Sequence, residues 1–381
     1  MTLILEDIKD IRDALLPLTF TRPVSLLPAG IGTIADRWQM FFPDADIAFQ
    51  TEEYLRCKYP AAETAADALH IPGHIIPTPE LADAVRTLAP GEWIQTVDGD
   101  KIFRGDTLRS EPKSIVEVTA YRSLPDIFRL SKERITADFR LLTASRCSQP
   151  LSDSCTLIGS PDGLFIEEGA DVEGAFIDTR QGPVYIGRNS EIQECVVLRG
   201  PIAIGSECRV RAGARLLPGV NLGVSTRVGG EISNTVFLGH SNKQHDGFLG
   251  DAVIGEWCNL GAGCVASNLK NDYSMVRLWS YPQQRFAKTG LQFCGLIMAD
   301  HCKAGINTMF NTATVVGPGC NIHGAGFPRP YIPAFSDGGA QGITRVILKK
   351  FLATATEMMR HRGVEISPAD ISILTYLYEN A

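Results

Sequence analysis

Residues 240–251, HSNKQHDGFLGD, place two histidines, a lysine and two aspartates within twelve positions. An imidazole can take a proton from an amine or a hydroxyl at neutral pH, which acyl transfer requires. A few residues later, the backbone N–H groups of Gly261, Ala262 and Gly263 could stabilise the oxyanion that forms on a thioester carbonyl. The segment therefore predicts an acyl-transfer site, with a polar surface loop as the alternative.

A metal site is the less favoured interpretation of these residues. His240 and His245 are five positions apart, which matches no ligand spacing of a helix or a strand, so we predict no metal. His240 is interpreted as a structural or solvated residue. Asp246 should point away from His245, because adjacent side chains of an extended chain lie on opposite sides.

Length, charge and composition narrow the class of protein. The chain has 381 residues, a net charge of -7 and 44% hydrophobic residues, which predicts two or three domains. The acidic balance argues against a nucleic-acid binder. No run of about 18 apolar residues occurs, so we expect no membrane span. The amino terminus lacks a signal-peptide pattern, and the ten cysteines form no CxxC pair, so we expect a cytoplasmic protein.

An aliphatic residue at every sixth position marks the middle of the chain. Period six fits neither a helix nor a strand alone and indicates a parallel β-helix whose repeated residue points inward. Glycine follows this residue at Ile186-Gly187 and again 18 positions later, at Ile204-Gly205, so three hexapeptides should form one coil. The repeated positions are Ile186, Ile192, Leu198, Ile204, Val210, Leu216, Leu222 and Val228.

Two breaks interrupt the repeat. Val228 and Ile254 are 26 residues apart, which is not a multiple of six, so we predict an inserted loop that contains HSNKQHDGFLGD. A second insertion is predicted between Leu260 and Met298, where aromatic and basic side chains such as Arg277 could contact coenzyme A or pack the loop. Loops that leave a solenoid often carry function.

The flanking segments predict two further units. Residues 1–150 alternate short buried strands with a helix that begins at Thr78 and Pro79, which is typical of an α/β domain. Residues 151–330 are assigned to the β-helix. Residues 331–381 should form a helical tail, whose second helix begins at Ser367-Pro368, with Asp370 bonded back to the cap.

One motif extends from His245 through Leu249-Gly250-Asp251, Ile254-Gly255 and NLGAG at Asn259 to Asn268. Together with RAGARLLPG at Arg211, this run resembles the left-handed β-helix acyltransferases. Within them, it is most similar to the bifunctional N-acetylglucosamine-1-phosphate uridyltransferase/glucosamine-1-phosphate acetyltransferase family. The resemblance covers the order of the whole chain, with a nucleotidyltransferase-like domain first and a left-handed parallel β-helix second.

The resemblance implies a set of roles. It implies acetyl-CoA as co-substrate, an amino sugar or sugar phosphate as acceptor, and a homotrimer with sites between subunits. Two departures concern the acceptor: Phe248 stands where the family has a tyrosine, and Ser233 where it has a lysine. The implied site residues are His245 as general base, Asn259 and Asn268 for the sugar, Arg211 and Lys243 for its phosphate, and Gly261, Ala262 and Gly263 for acetyl-CoA.

The amino-terminal resemblance, to sugar nucleotidyltransferases, is degenerate. Arg12 and Arg22 match nucleotide-binding positions of a Rossmann-like fold, but no glycines precede Arg12, and Val24 replaces a lysine. Transfer should then be slow, because little offsets the developing phosphate charge. Nucleotidyl transfer in residues 1–150, which would need Mg²⁺, is the alternative function, and a non-catalytic sugar-nucleotide binder or scaffold is a second alternative.

Overall fold

The structure, a computed structural model, describes residues 1–61 and 67–380. The amino-terminal strands are β1 (Thr2–Glu6), β2 (Asp46–Gln50), β3 (Leu69–Pro72), β4 (Ile75–Ile76), β5 (Trp93–Thr96), β6 (Lys101–Arg104), β7 (Ser114–Val116) and β8 (Thr119–Ala120). Six of them form one sheet in the order β2-β1-β3-β6-β5-β7, in which β6 is antiparallel to both neighbours. The strands β4 and β8 form a separate antiparallel pair.

Within residues 1–61 and 67–150, five α-helices accompany this sheet, so the predicted α/β domain is confirmed. They are α1 (Lys9–Ala14), α2 (Ile34–Phe41), α3 (Pro79–Arg86), α4 (Leu124–Arg129) and α5 (Ser131–Thr143), with 3-10 turns at Val24–Leu26 and Glu53–Leu55. The predicted start of α3 is confirmed, since the Leu81 N–H donates to Thr78 Oγ1 at 3.3 Å. The helices α4 and α5 connect this domain to the β-helix.

The middle of the chain is a three-faced parallel β-helix. Face 1 contains β10 (Leu164–Ile166), β13 (Val184–Ile186), β16 (Ile202–Ile204), β19 (Asn221–Leu222), the second halves of β21 (Glu231–Gly239) and β23 (Phe248–Glu256), β28 (Ile297–Met298), β31 (Val315–Val316) and β33 (Tyr331–Ile332). Face 2 contains β11 (Asp171–Val172), β14 (Glu191–Ile192), β17 (Arg209–Val210), β20 (Arg227–Val228), β22 (Asn242–Lys243), β24 (Asn259–Leu260), β29 (Lys303–Ala304), β32 (Asn321–Ile322) and β34 (Ser336–Gly339). Face 3 contains β9 (Thr156–Ile158), β12 (Phe176–Asp178), β15 (Val197–Arg199), β18 (Arg215–Leu216), the first halves of β21 and β23, β25 (Val265–Ala266) and β30 (Met309–Phe310).

The repeated aliphatic residues line the interior of this β-helix. All eight, from Ile186 to Val228, are at most 1% exposed and belong to one apolar cluster, which confirms the predicted repeat. The parallel pairing continues to Gly338, and β34 also pairs antiparallel with β35 (Gly342–Arg345), so strands extend beyond residue 330. We name the turns by the faces they join, as the 1/2, 2/3 and 3/1 edges.

The predicted insertion between Val228 and Ile254 is wrong. Val228 pairs with Lys243, and β21 pairs with β23 in parallel along nearly its whole length, so HSNKQHDGFLGD is part of a regular coil. Leu222 is in register with Phe237, only 15 positions later, because the turns of this coil are shorter than those of the coils before it. A count in steps of six mistakes these shortened turns for added residues.

The second predicted insertion is confirmed. An antiparallel hairpin of β26 (Arg277–Ser280) and β27 (Arg285–Lys288) leaves the β-helix before β28. Trp279 stacks on Tyr331 at a centroid distance of 4.0 Å, and Tyr281 meets Phe20 edge-on at 5.4 Å. These two aromatic residues therefore pack the hairpin against face 1 and the amino-terminal domain.

The tail and the amino-terminal domain both pack on the β-helix. The tail consists of α6 (Leu348–Arg360) and α7 (Pro368–Asn380), and the predicted cap of α7 is confirmed by the bond from the Asp370 N–H to Ser367 Oγ at 3.1 Å. The amino-terminal core continues onto the outer side of face 1, where Val236, Val253 and Ile297 belong to the same apolar cluster as Leu5. Face 1 is thereby covered.

Candidate functional site

The turn that carries His245 lies on the 2/3 edge of the β-helix. It connects β22 to β23, and the His245 side chain is exposed to solvent. No side-chain hydrogen bond of His245 is found within residues 1–61 and 67–380, so both ring nitrogens are available to a ligand. The predicted base is therefore accessible, although it lies in a coil and not in an inserted loop.

Lys243 lies inside the β-helix and not on its surface. It occupies the inward-facing position that Val228 occupies one coil earlier, and its side chain is 0% exposed. Its Nζ donates to the His245 carbonyl oxygen at 2.5 Å and to the Gly229 carbonyl oxygen at 3.4 Å. Burial lowers the pKa of Lys243, since it disfavours the charged form. The predicted phosphate contact is corrected: this ammonium group fixes the backbone of the His245 turn.

The Gly261–Gly263 turn lies directly beside the His245 turn, one coil further on. The Gly261 N–H donates to the Ala304 carbonyl at 2.9 Å, and the Gly263 N–H donates to the Asp246 carbonyl at 3.1 Å. Only the Ala262 N–H, of these three, lacks a partner among the described residues. Of the predicted donors for an oxyanion, one therefore remains available, and it lies on the same edge as His245.

Arg211 lies on the same edge, two coils before His245. Its guanidinium group is exposed, and it follows β17 directly, as Gly229 follows β20 and Gln244 follows β22. Neighbouring strands are about 4.8 Å apart, so Arg211 is roughly 10 Å from the His245 turn along the axis of the β-helix. That separation is within the reach of a sugar phosphate and a long arginine side chain.

The two predicted sugar-contacting asparagines are not brought together. Asn259 lies on the outer side of face 2, where its Oδ1 accepts from Asn242 Nδ2 at 2.6 Å. Asn268 lies on the 3/1 edge and donates through Nδ2 to Asp251 Oδ2 at 2.7 Å. Asp251 Oδ1 also accepts from Asn234 Nδ2 at 2.7 Å, so the Asn268 amide is held in one orientation.

His240 lies on the 1/2 edge, away from His245. Its ring stacks on Trp257 at a centroid distance of 4.2 Å, and Trp257 stacks on His301 at 6.4 Å. Burial lowers the pKa of His240 and lowers that of His301 to about 3, so His301 is neutral at ordinary pH. His240 thus has a packing role, in line with its interpretation from the sequence.

Arg12 and Arg22, the predicted nucleotide contacts, are buried and paired. Arg12 donates through Nη2 to Tyr54 Oη at 2.7 Å and to the Thr19 carbonyl at 3.0 Å. Arg22 forms ion pairs with Asp300 at 2.6 Å and Glu256 at 2.8 Å. Burial alone would lower the pKa of Arg22, but the two carboxylates raise it above its ordinary value. Neither arginine is free to meet a triphosphate, so this prediction is corrected.

A glycine-rich turn before α2 was missed in the sequence. Gly30 and Gly32 have positive φ values of 88° and 117°, and such a turn at a helix start can bind phosphate. The signal was the segment PAGIG, which follows Arg22 and does not precede Arg12. In this chain the Ile31 N–H donates to Asp138 Oδ2 at 2.8 Å, so a carboxylate already occupies the turn.

No group of three or more His, Cys, Asp or Glu side chains that could hold a metal occurs in the described ranges 1–61 and 67–380. In the same part of the chain, no helix is both long enough and apolar enough to cross a bilayer.

An open cleft of about 870 Å³ lies beside the hairpin, next to Asn268, and Arg277, Phe286 and Asn311 are among its lining residues. This cleft has the size of a ligand site and borders the 3/1 edge.

The fold and these edges define a class, a parallel β-helix that follows an α/β domain. Residues 3–147 match the family described as sugar nucleotidyl transferase, which agrees with the predicted nature of the amino-terminal domain. The bifunctional protein GlmU recurs among the relatives. An alignment of 207 positions is 34% identical to GlmU of Ralstonia pickettii and covers 46% of this chain and 45% of that protein. A 93-residue segment is 38% identical to GlmU of Heliobacterium modesticaldum, over 24% of this chain and 20% of that protein.

These matches confirm the predicted resemblance to the bifunctional transferases. The chain spans between about a fifth and just under half of the length of these two curated relatives. Among solved structures, LpxA, a UDP-N-acetylglucosamine acyltransferase from Bacteroides fragilis, is 14% identical with a TM-score of 0.22, over 60% of this chain and 96% of that chain. The polysialic acid O-acetyltransferase OatWY is 12% identical with a TM-score of 0.25, over 50% of this chain and 85% of that chain. Likenesses of this size carry no conclusion about activity.

Proposed function

We propose that this chain is a transferase that moves an acyl group, acetyl from acetyl-CoA, to an amino sugar or a sugar phosphate. His245 is the general base in this proposal, Ala262 donates its N–H to the thioester oxyanion, and Arg211 binds the acceptor phosphate. The observation that carries the proposal is that the exposed His245 lies on the turn next to that of Ala262, whose N–H has no partner among the described residues. A base next to an oxyanion donor is what attack on a thioester requires.

Within one chain, this edge is incomplete. Asp251, which holds Asn268, lies at the other end of face 3 from the His245 turn, and the extended residues between them, Phe248 to Gly250, span roughly 10 Å. A sugar cannot touch both edges of one copy, so Asn268 can serve the acceptor only from a neighbouring copy. Face 3 bears exposed apolar side chains, among them Phe176 at 48% and Val265 at 36%, which suits contact between copies. We therefore propose the homotrimer that the resemblance implies.

The test follows thiol release from acetyl-CoA with a panel of amino sugars and their 1-phosphates. Wild type should release thiol only when an acceptor is present, and His245→Ala should lower kcat by about 100-fold or more, because it removes the proton acceptor. His361→Ala is the matched control, since His361 is also exposed but lies at the end of α6. Release that survives in His245→Ala would refute the base, and a wild type without release would refute acyl transfer.

Nucleotidyl transfer is the second candidate, because residues 3–147 match a sugar nucleotidyl transferase family. Arg12, Arg22 and the Gly30–Gly32 turn already have internal partners, so we expect this activity to be slow or absent. Release of pyrophosphate from nucleoside triphosphates with sugar 1-phosphates and Mg²⁺ measures it directly. If neither reaction occurs, a sugar-nucleotide binder or scaffold becomes the favoured function.

A further inference from the structure

A cleft of about 690 Å³ lies between α5 and the 3/1 edge, away from His245. Lys132 and Arg140 of α5 line one side of it, and Arg199 and Ser233 of the β-helix line the other. The helix is fixed against this edge because Ser131 Oγ donates to the Gly219 carbonyl oxygen at 3.0 Å. The two walls therefore come from different domains and are held at a set distance.

The walls of this cleft carry an excess of positive charge. Lys132, Arg140 and Arg199 are exposed, and none has a carboxylate within 4.0 Å in the part of the chain that the structure describes. The nearby Asp178 is engaged by Arg180 Nη2 at 2.8 Å. In a chain whose net charge is -7, three unpaired cations that converge on one cavity are not explained by the overall composition.

A fourth cation is built into the floor. Arg134 is only 6% exposed, lines the same cleft, and pairs with Glu133. Its Nε is buried and has no hydrogen-bond partner among the described residues. Because this Nε has no accessible surface, a ligand in the cleft cannot contact it, and Arg134 contributes only its positive charge.

We infer that this cleft binds a small molecule that carries a diphosphate. A lone phosphate engages one or two cations, whereas three cations on opposing walls and a buried fourth suit two linked phosphates. The cleft volume of about 690 Å³ lies within the range of small-molecule sites, which is roughly 300–1,000 Å³.

The cleft also leads toward the proposed acceptor residues. Ser233 lies at one end of it, and the next residue, Asn234, donates to Asp251, which in turn holds Asn268. The diphosphate could belong to a nucleoside diphosphate sugar or to coenzyme A. The choice between these two ligands rests on the proposed acyl transfer, whereas the binding of a diphosphate does not.

Binding of pyrophosphate, UDP and coenzyme A to the full-length protein, measured by isothermal titration calorimetry, tests the inference. Arg140→Gln and Arg199→Gln should each weaken pyrophosphate binding about tenfold, because each removes one solvent-accessible charge contact with the anion. Arg360→Gln is the matched control, since Arg360 is an exposed arginine of α6, outside the cleft. Thermal melting checks that the exposed substitutions leave the fold intact.

Absence of pyrophosphate binding to wild type, or equal binding to Arg140→Gln, Arg199→Gln and Arg360→Gln, would overturn the inference. If UDP binding is weakened by the cleft variants, the ligand is a nucleotide or its sugar conjugate, and if coenzyme A binding is weakened, it is the acyl donor. His245→Ala should bind pyrophosphate as wild type does. Loss of thiol release in all conditions, with cleft binding intact, would refute acyl transfer but not this site.

Discussion

Replacing Lys243 with leucine distinguishes the contribution of this residue to stability from its contribution to the activity of the His245 site. The substitution removes a buried ammonium group and its bonds to the carbonyls of His245 and Gly229. The position faces inward between Val228 and Leu260, two aliphatic residues of neighbouring coils, so a leucine side chain suits its surroundings.

In the free energy of unfolding, the loss of the two hydrogen bonds is offset by removal of a buried charge and by burial of the leucine side chain. For the activity, the substitution has only an unfavourable effect. A hydrogen bond from a charged donor contributes about 1.5–3 kcal/mol, while burying an ammonium group costs several kcal/mol and burying a leucine side chain contributes about 1.5–3 kcal/mol. We therefore expect Lys243→Leu to leave the free energy of unfolding within about 1 kcal/mol of wild type or to raise it. Thiol release should fall, because an imidazole displaced by about 1 Å can cost about 100-fold.

Urea unfolding followed by the fluorescence of the four tryptophans, together with kcat/KM for thiol release, measures both effects. Lys303→Leu is the matched control, because Lys303 Nζ also donates to two carbonyls, those of Trp257 at 2.8 Å and His301 at 3.3 Å, on the 1/2 edge. This control should retain kcat/KM. A Lys243→Leu protein with wild-type kcat/KM, or one that loses more than about 3 kcal/mol, refutes the reasoning.

The pH dependence of stability provides a second check on Lys243. Burial lowers its pKa in the folded chain, so in the alkaline range below 10.5 the unfolded chain binds more protons than the folded one. Stability from this residue therefore rises with pH in that range. Burial also lowers the pKa of Lys303, so Lys243→Leu should reduce this rise in urea unfolding without abolishing it. Lys349→Asn, which replaces an exposed lysine of α6, should retain the whole rise.

Two further predictions concern the junction of the domains. Arg22→Met leaves Asp300 buried without its partner and should cost about 3–5 kcal/mol in urea unfolding, and adding Asp300→Asn should restore at least half of that loss; no recovery would contradict the pairing. His301 has a pKa of about 3 in the folded chain, against an ordinary value of 6.5. Between these two pH values the unfolded chain binds more protons than the folded one. The free energy of unfolding should therefore fall by roughly 5 kcal/mol as the pH falls from 6.5 to 3. His301→Phe, which keeps an aromatic ring on Trp257, should show a flatter pH dependence by urea unfolding, and an unchanged slope would refute the assignment.

The repeat could be predicted from the sequence because each inward position is a separate burial event. Ile186, Ile204 and Leu222 are buried in successive coils, so the period survives wherever the coils have equal length. It fails after Val228, because register in a parallel β-helix is set by strand pairing and not by the number of turn residues. Shortened turns leave the pairing intact while they shift every later position in the count.

The partners of Arg12 and Arg22 could not be predicted for a different reason. Asp300 is 278 residues from Arg22 in sequence, and no local pattern shows that two domains meet at that point. A motif comparison identifies an arginine by its spacing from its neighbours, and this spacing is the same whether the side chain faces a nucleotide or a carboxylate of the next domain. The role of each arginine is therefore shown by its burial and its ion pairs in the structure, and it could not be predicted from the spacing of the motif.

The same limit explains why the predicted site residues divide between edges. His245 and Asn268 belong to one motif, and a sequence treats residues of one motif as one site. In a three-faced coil, residues about one third of a coil apart lie on adjacent edges, so the spacing within the motif assigns His245 to the 2/3 edge and Asn268 to the 3/1 edge. Such a motif can form one site only where the 2/3 edge of one copy meets the 3/1 edge of another, so the proposed acyl transfer requires assembly of the chain.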